Sequence, residues 1–172
     1  MRRHSVHGET QRLRVNVGLS RKLSKDYNST GYSINLDGGW TASIADAERL
    51  VVVGRGIGSK KNLPLMRRLA EALGAELGCT RPVVEAGWLE CRHQIGQTGV
   101  SVSPKLLVSI GVSGAIQHLA GMQDSDCIIA INKDPQANIF KIADYGIVGD
   151  LYEVIPQIIK SLDNIDELSK SV

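Results

Sequence analysis

The feature that most constrains this chain is a series of largely apolar runs separated by segments with helical spacing. From Arg49 onward the runs read "RLVVVG", "AELGCT", "KLLVSIGV", "CIIAINK" and "DYGIVGD", and the helical segments fall near residues 61–74, 114–121 and 151–162. Strands that are apolar on both sides have to be covered on both sides, and helices between successive strands make those strands parallel. The expectation is an α/β fold, a doubly wound and mostly parallel sheet of about six strands. Folds of this kind bind ligands beyond the carboxyl ends of their strands, so function is to be sought in the loops there.

Those loops are richer in glycine and polar residues than plain connections require. "GRGIGSKKN" follows the first strand, "CTRPVVEAGW" the second, "GVSGAIQH" the third and "INKDP" the fourth, with "HQIGQTG" between the second and third. Each alone has an ordinary reading: a strand-to-helix turn, a turn closed by Pro135, or, for His118, a histidine on a helix surface. Together they fall on one edge of one sheet. The stretch "VSIGVSGAIQHLAGM", Val108 to Met122, runs a buried strand into a Ser-Gly-Ala turn and then a helix start. Such a turn aims backbone N–H groups at whatever lies above the strand, which suits an anionic ligand.

Composition excludes several alternatives. At 172 residues, with 42% hydrophobic and 22% charged, the chain suits one good core. The net charge of +2 is unevenly placed, because residues 1–36 hold seven Lys and Arg against two acids. Cys79, Cys91 and Cys127 form no CxxC pair and accompany no histidine cluster at zinc spacing, so neither a disulfide framework nor a metal site is expected. A reducing cytoplasm fits them. The start "MRRHSVHGETQRLRV" carries no apolar core of secretory-signal type. The longest uncharged run, Leu106 to Gln123, is interrupted by Gly, Ser, Gln117 and His118, which is wrong for a membrane span.

Ahead of the sheet, residues 12–36 alternate apolar and polar positions around Asn28-Ser29-Thr30-Gly31, predicting a short β-hairpin, and "LDGGWTASIADAE" reads as a linker to a helix start. The expected organisation is an extension over residues 1–48 and a ligand-binding domain over residues 49–172. Seven cations without an aromatic stacking platform describe a solvated surface, so a nucleic-acid partner is not expected. An isolated hairpin is rarely stable in water. The arm from Arg12 to Leu36 is therefore expected to add strands to a neighbouring sheet, in a homo-oligomer or on a partner chain.

Seven motifs, in order, carry a family resemblance: "GRG" at 54–56, "TRPVVEAGW" at 80–88, "QIGQTG" at 94–99, "PKL" at 104–106, "GVSGAIQHLAGM" at 111–122, "AINKDP" at 130–135 and "ADYGIVGDL" at 143–151. From about Arg49 to Leu162 the chain resembles the C-terminal, FAD-binding domain of the electron transfer flavoprotein alpha subunit, a Rossmann-like fold of the DHS-like NAD/FAD-binding kind. The resemblance implies FAD as cofactor, electron transfer without substrate chemistry of its own, and partnership with a beta-like subunit and dehydrogenases. It implies that Ser113, Gly114, Ala115, Ile116, Gln117 and His118 hold the cofactor through backbone amides and side chains. Arg55 would lie near the pyrophosphate and adenosine, and Asn132, Asp150 and Leu151 at the AMP end, where a carboxylate suits a hydroxyl and repels a phosphate.

At the isoalloxazine end the resemblance places Thr98 near N5, Arg81 against the ring near that edge, and His118 facing N1 and the C2 carbonyl. Two cations there would stabilise the reduced, anionic ring and raise its potential. Gln94, Ile95, Gly96 and Gln97 match the loop at the ribityl chain or pyrophosphate. Thr80 stands where many members have Ser and keeps the hydroxyl. Family alpha subunits carry a second α/β domain before the flavin domain, and residues 1–48 do not resemble it, so the resemblance extends to the flavin domain and not to the half that docks a beta subunit. A second reading stays open, in which a flavin-domain-like module serves protein or nucleic-acid interaction without redox activity. A yellow purified protein separates the two.

Overall fold

A computed structural model of the chain describes residues 4–6, 32–34 and 40–170. In chain order its elements are β1 (His4–Val6), β2 (Tyr32–Ile34), β3 (Trp40–Ala42), β4 (Arg49–Val53), α1 (Leu63–Leu73), β5 (Glu76–Cys79), α2 (Arg81–Glu85), β6 (Leu106–Ile110), α3 (Ile116–Leu119), β7 (Ile128–Asn132), β8 (Tyr145–Val148) and α4 (Leu151–Lys170). Short 3-10 turns lie between them. The main sheet has six strands in the order β1-β8-β7-β6-β4-β5, and every neighbouring pair is parallel. The α/β, Rossmann-like expectation is met.

Alternation along β4 shows why both faces had to be apolar. Val51 and Val53 face a layer containing Met66 and Leu69 of α1 and Ile155 and Ile159 of α4. Leu50 and Val52 face the opposite layer, with Ile44, Ile95, Val102, Met122 and Ile139. Helix α1 buries Leu63, Met66, Leu69 and Ala70, one stripe at helical spacing, with Pro64 in its first turn and Gly74 closing it in the left-handed conformation at φ 57°. Full burial of one such Leu or Met contributes about 1.5–3 kcal/mol, so Leu69→Ala would cost about 2–5 kcal/mol once the cavity is included.

The winding of the chain sets the site. From β4 it goes outward through α1 to β5, then returns to lay β6 on the other side of β4. Neighbouring strands whose chains leave in opposite directions open a crevice at their carboxyl ends, between Val53 and Ile110 here. Gly54 N–H donates to the Ile110 carbonyl at 2.8 Å and Gly56 N–H to the Gly111 carbonyl at 3.0 Å, so the two departing loops cross in contact.

The amino-terminal segment differs from expectation. The hairpin among the described residues pairs β2 with β3, Ser33 opposite Thr41, in a separate two-stranded sheet. Trp40–Ala42, expected within a linker, is its second strand. Residues 7–31 and 35–39 lie outside those described, and with them the expected turn at Asn28–Gly31 and the first strand of the expected hairpin. Strand β1 pairs with β8, the edge of the chain's own sheet. Two helices also differ in length from expectation. Helix α3 is held to four residues after Gly114 and Ala115, whereas α4 meets no Gly or Pro stop near residue 162 and runs to Lys170.

Candidate functional site

The expected site residues do gather at the carboxyl edge of the main sheet, and hydrogen bonds tie their loops together. Thr80, buried after β5, donates its N–H to the Val53 carbonyl at 3.0 Å. Asn132 at the end of β7 donates through Nδ2 to the Val112 carbonyl at 2.8 Å, and its Oδ1 accepts from Asp134 N–H at 3.0 Å. Gln97 N–H donates to the Gln117 carbonyl at 2.8 Å, joining the 94–99 loop to α3. Arg55, Gln97, Thr98, Ser113, Ala115 and Gln117 are exposed on this edge, and Ile116, an apolar side chain at the start of α3, is 80% exposed.

Three residues that sequence reasoning missed, Lys60, Asn62 and Tyr152, brace the loop after β4. Tyr152 Oη donates to the Ile57 carbonyl at 2.6 Å, and Asn62 Nδ2 donates both to that carbonyl at 2.8 Å and to Tyr152 Oη. Asp150 Oδ1 accepts from Tyr152 N–H at 2.8 Å, capping α4. Burial and the neighbouring Asp150 carboxylate both raise the Tyr152 pKa, keeping the phenol protonated and able to donate. Lys60 Nζ reaches the Gly87 carbonyl at 3.2 Å, bridging the loops after β4 and α2. The "GSKKN" segment hinted at Lys60 and Asn62; a bond between residues 62 and 152 leaves no mark in local sequence. Leu151 is a core side chain, packed with Ile155 and Ile159, so what it offers a ligand is backbone.

His118 is the most informative residue. It is 6% exposed, and its Nδ1 lies 2.8 Å from the Ile95 carbonyl. A carbonyl only accepts, so Nδ1 carries the proton and Nε2 presents a lone pair. Among the described residues Nε2 is a buried polar atom with no hydrogen-bond partner. Burial pushes the imidazole below its ordinary value of 6.5, outweighing the Ile95 bond that favours the charged form. Without a ligand, burial thus favours the neutral ring; the cation expected from the sequence concerns the ring beside a bound flavin. Arg81 is the charge at that end: it is exposed at the start of α2 and held by Glu85 at 2.8 Å, one turn along the same helix.

A buried, unpartnered acceptor is costly unless something donates to it. Its setting, against the 94–99 loop that carries exposed Thr98 and on the same sheet edge as exposed Arg55 and Arg81, fits a planar group with polar edges attached to a polyanionic tail. The donor set thus fits a flavin dinucleotide.

Comparison with known proteins agrees with this geometry. The electron transfer flavoprotein FAD-binding domain family matches residues 43–123. Protein FixB of Clostridium saccharobutylicum is 52% identical over 122 residues, covering 71% of this chain and 36% of that protein. The electron transfer flavoprotein subunit alpha of Paracoccus denitrificans is 52% identical over 115 residues, 67% of this chain and 37% of that one. The lactate dehydrogenase (NAD(+),ferredoxin) subunit LctC of Acetobacterium woodii is 50% identical over 120 residues, 70% and 29% respectively. The chain thus matches only about a third of the length of these relatives. Family match, identity and fold agree: the chain carries a domain of the electron transfer flavoprotein alpha-subunit type.

Proposed function

We propose that the chain binds one FAD noncovalently along the carboxyl edge of its sheet and serves as an electron carrier rather than an enzyme, working in the cytoplasm with a beta-like subunit and dehydrogenase-type donors or as a homo-oligomer. The observation that carries this reading is the buried His118 Nε2, a nitrogen with no protein partner among the described residues, which accepts when neutral and donates to a carbonyl or an anionic ring edge once protonated. When bound, the flavin supplies the redox chemistry. The chain's residues supply binding and electrostatics.

In this reading the loops at Arg55 and at Ser113–Gln117 take the pyrophosphate, with Asn132, Asp150 and the backbone at Leu151 placing the AMP half. Gln94, Ile95, Gly96 and Gln97 form the loop under the ribityl chain, and Thr80 orders the turn that presents Arg81. Arg81 favours negative charge arriving on the ring, and Thr98 donates a hydrogen bond to its edge. His118, neutral and fixed in one tautomer by Ile95, offers Nε2 as an acceptor and as a site for a proton drawn in by that charge. Among the described residues no helix is long and apolar enough to cross a membrane.

Purification with added FAD tests the reading. A yellow protein with one flavin per chain, released intact on denaturation, supports it; a protein that takes up no flavin in a spectrophotometric titration overturns it. Light scattering with and without FAD, on the full chain and on one starting near Asp46, tests the assembly. Strict monomers with equal flavin affinity would mean that the arm has no part in it.

A further inference from the structure

Among the described residues Gln94 is one of four buried polar side chains, with Thr80, Ser109 and His118. It sits one residue before Ile95, whose carbonyl holds His118. Its backbone is fixed on three sides. Gln94 N–H donates to the Cys91 carbonyl at 2.9 Å, its carbonyl accepts from Val100 N–H at 2.7 Å, and Ile95 N–H donates to the Cys79 carbonyl at 2.9 Å at the end of β5. Gly99 packs on the Gln94 carbonyl, and a Cβ there would also stand 3.1 Å from Gln94 Cγ, so only glycine leaves the side chain its course. The carboxamide is thereby delivered from a rigid base, and its Nε2 donates to Thr98 Oγ1 at 3.1 Å.

A threonine hydroxyl has one proton and two lone pairs. With a lone pair engaged by the Gln94 amide, the proton must point away from Gln94. Among the described residues no protein acceptor receives it. Thr98 is exposed on the ligand edge of the loop. A hydroxyl that accepts one hydrogen bond also becomes a stronger donor in the next.

We infer that Gln94 is a positioning residue that sets the direction of the Thr98 hydroxyl, turning its proton toward the flavin edge. This rests on the reading that Thr98 faces the bound ring. Gln94 touches no ligand in this scheme; it acts through Thr98.

The test is a double-mutant cycle on the FAD-loaded full chain with Gln94→Glu, Gln94→Met and Thr98→Val, read by spectroelectrochemical potential, FAD affinity and urea unfolding of the ligand-free protein. The carboxylate that Gln94→Glu introduces only accepts, so once ionised it captures the Thr98 proton that Gln94 turns outward. Gln94→Glu should lower the potential in the direction that Thr98→Val does, and the difference from wild type should grow as pH rises and the carboxyl ionises. Gln94→Met, which keeps the volume and removes the bond, should lower it less and weaken FAD about two- to tenfold, the scale of one neutral hydrogen bond. In the Thr98→Val background the uncharged change Gln94→Met should shift the potential no further, whatever it does to the unfolding midpoint, and Gln94→Glu should keep only the part of its shift that its own charge causes. A potential that stays at the wild-type value in Gln94→Glu across pH 6 to 9, while Thr98→Val lowers it, would overturn the inference and leave the flavin site standing. Additive shifts of Gln94→Met and Thr98→Val would overturn it equally. An unchanged potential in Thr98→Val would overturn both the inference and the placement of Thr98 at the ring.

Discussion

The two ends of the carboxyl edge are built on opposite plans. At the β7–β8 end, polar side chains are already engaged with protein: Asn132 is bonded at both ends of its amide, Asp150 caps α4, and Tyr152 reaches across to the loop after β4, where it and Asn62 meet on the Ile57 carbonyl. At the β5 end capacity is left over. Among the described residues His118 Nε2 has no partner, the Thr98 proton has no protein acceptor, and Arg81 is bonded along its own helix to Glu85. The difference teaches a division of labour. A group already satisfied by protein can shape a surface for a ligand, whereas an unsatisfied group changes energy when the ligand's charge changes. Affinity for the dinucleotide should come mainly from the braced end, and tuning of its electronics from the open end.

The largest effect should come from the turn that both ends share. Gly114 has φ 84°, and a Cβ on it would run into the backbone nitrogen of Ile139. Gly114→Ala therefore combines strain with overpacking against main chain, about 1–3 kcal/mol for each, and should lower stability by about 3 kcal/mol or more. Urea unfolding checks this; a loss under about 1 kcal/mol would show that the turn yields.

Next in size, FMN leaves the braced end unused. FAD should bind more than about 100-fold tighter than FMN by calorimetry, about 2.7 kcal/mol. Equal affinities would mean that Asn132, Asp150 and the Leu151 backbone do not meet the AMP half. A smaller effect is expected from Tyr152→Phe, which removes the phenol from the Ile57 carbonyl but leaves Asn62 on it. Stability should fall by about 1 kcal/mol and FAD weaken a few-fold, with the flavin potential unmoved.

The smallest effect is a pH dependence of the ligand-free protein. The folded His118 pKa lies below the unfolded value, so as pH falls the unfolded chain takes up the proton first. Stability should decline as pH drops below about 6.5 and stop declining for this reason once the folded ring is also protonated. His118→Gln should flatten that slope in thermal melts at pH 5 to 7. An equal slope in both proteins would assign it to other groups.

How much of this was legible in sequence follows from what local pattern can encode. The parallel sheet was visible because a strand covered on both faces must be apolar throughout, as Leu50 to Val53 are. The gathering of Arg55, Arg81, Ser113 and Asn132 on one edge then followed from strand direction. The braces did not: Tyr152 meets Ile57 across 95 residues, and nothing around either residue marks it. The burial of His118 was equally hidden, because its ring meets the Ile95 carbonyl only once the 94–99 loop has folded onto α3. The strand at Trp40–Ala42 reads as linker in the sequence because the stretch around it is rich in Gly and Ser, while the expected turn at Asn28–Gly31 lies outside the described residues.

The division of labour is tested most directly by measuring flavin affinity and midpoint potential together, by spectroelectrochemistry on FAD-loaded protein, in Arg81→Met, His118→Ala and Asn132→Ala. Arg81→Met should lower the potential most, since its charge persists at every working pH, and His118→Ala should lower it less, both with FAD retained. Asn132→Ala should release FAD readily yet leave the potential of the bound fraction at the wild-type value. Unchanged potentials in Arg81→Met and His118→Ala, or a shift confined to Asn132→Ala, would contradict the account.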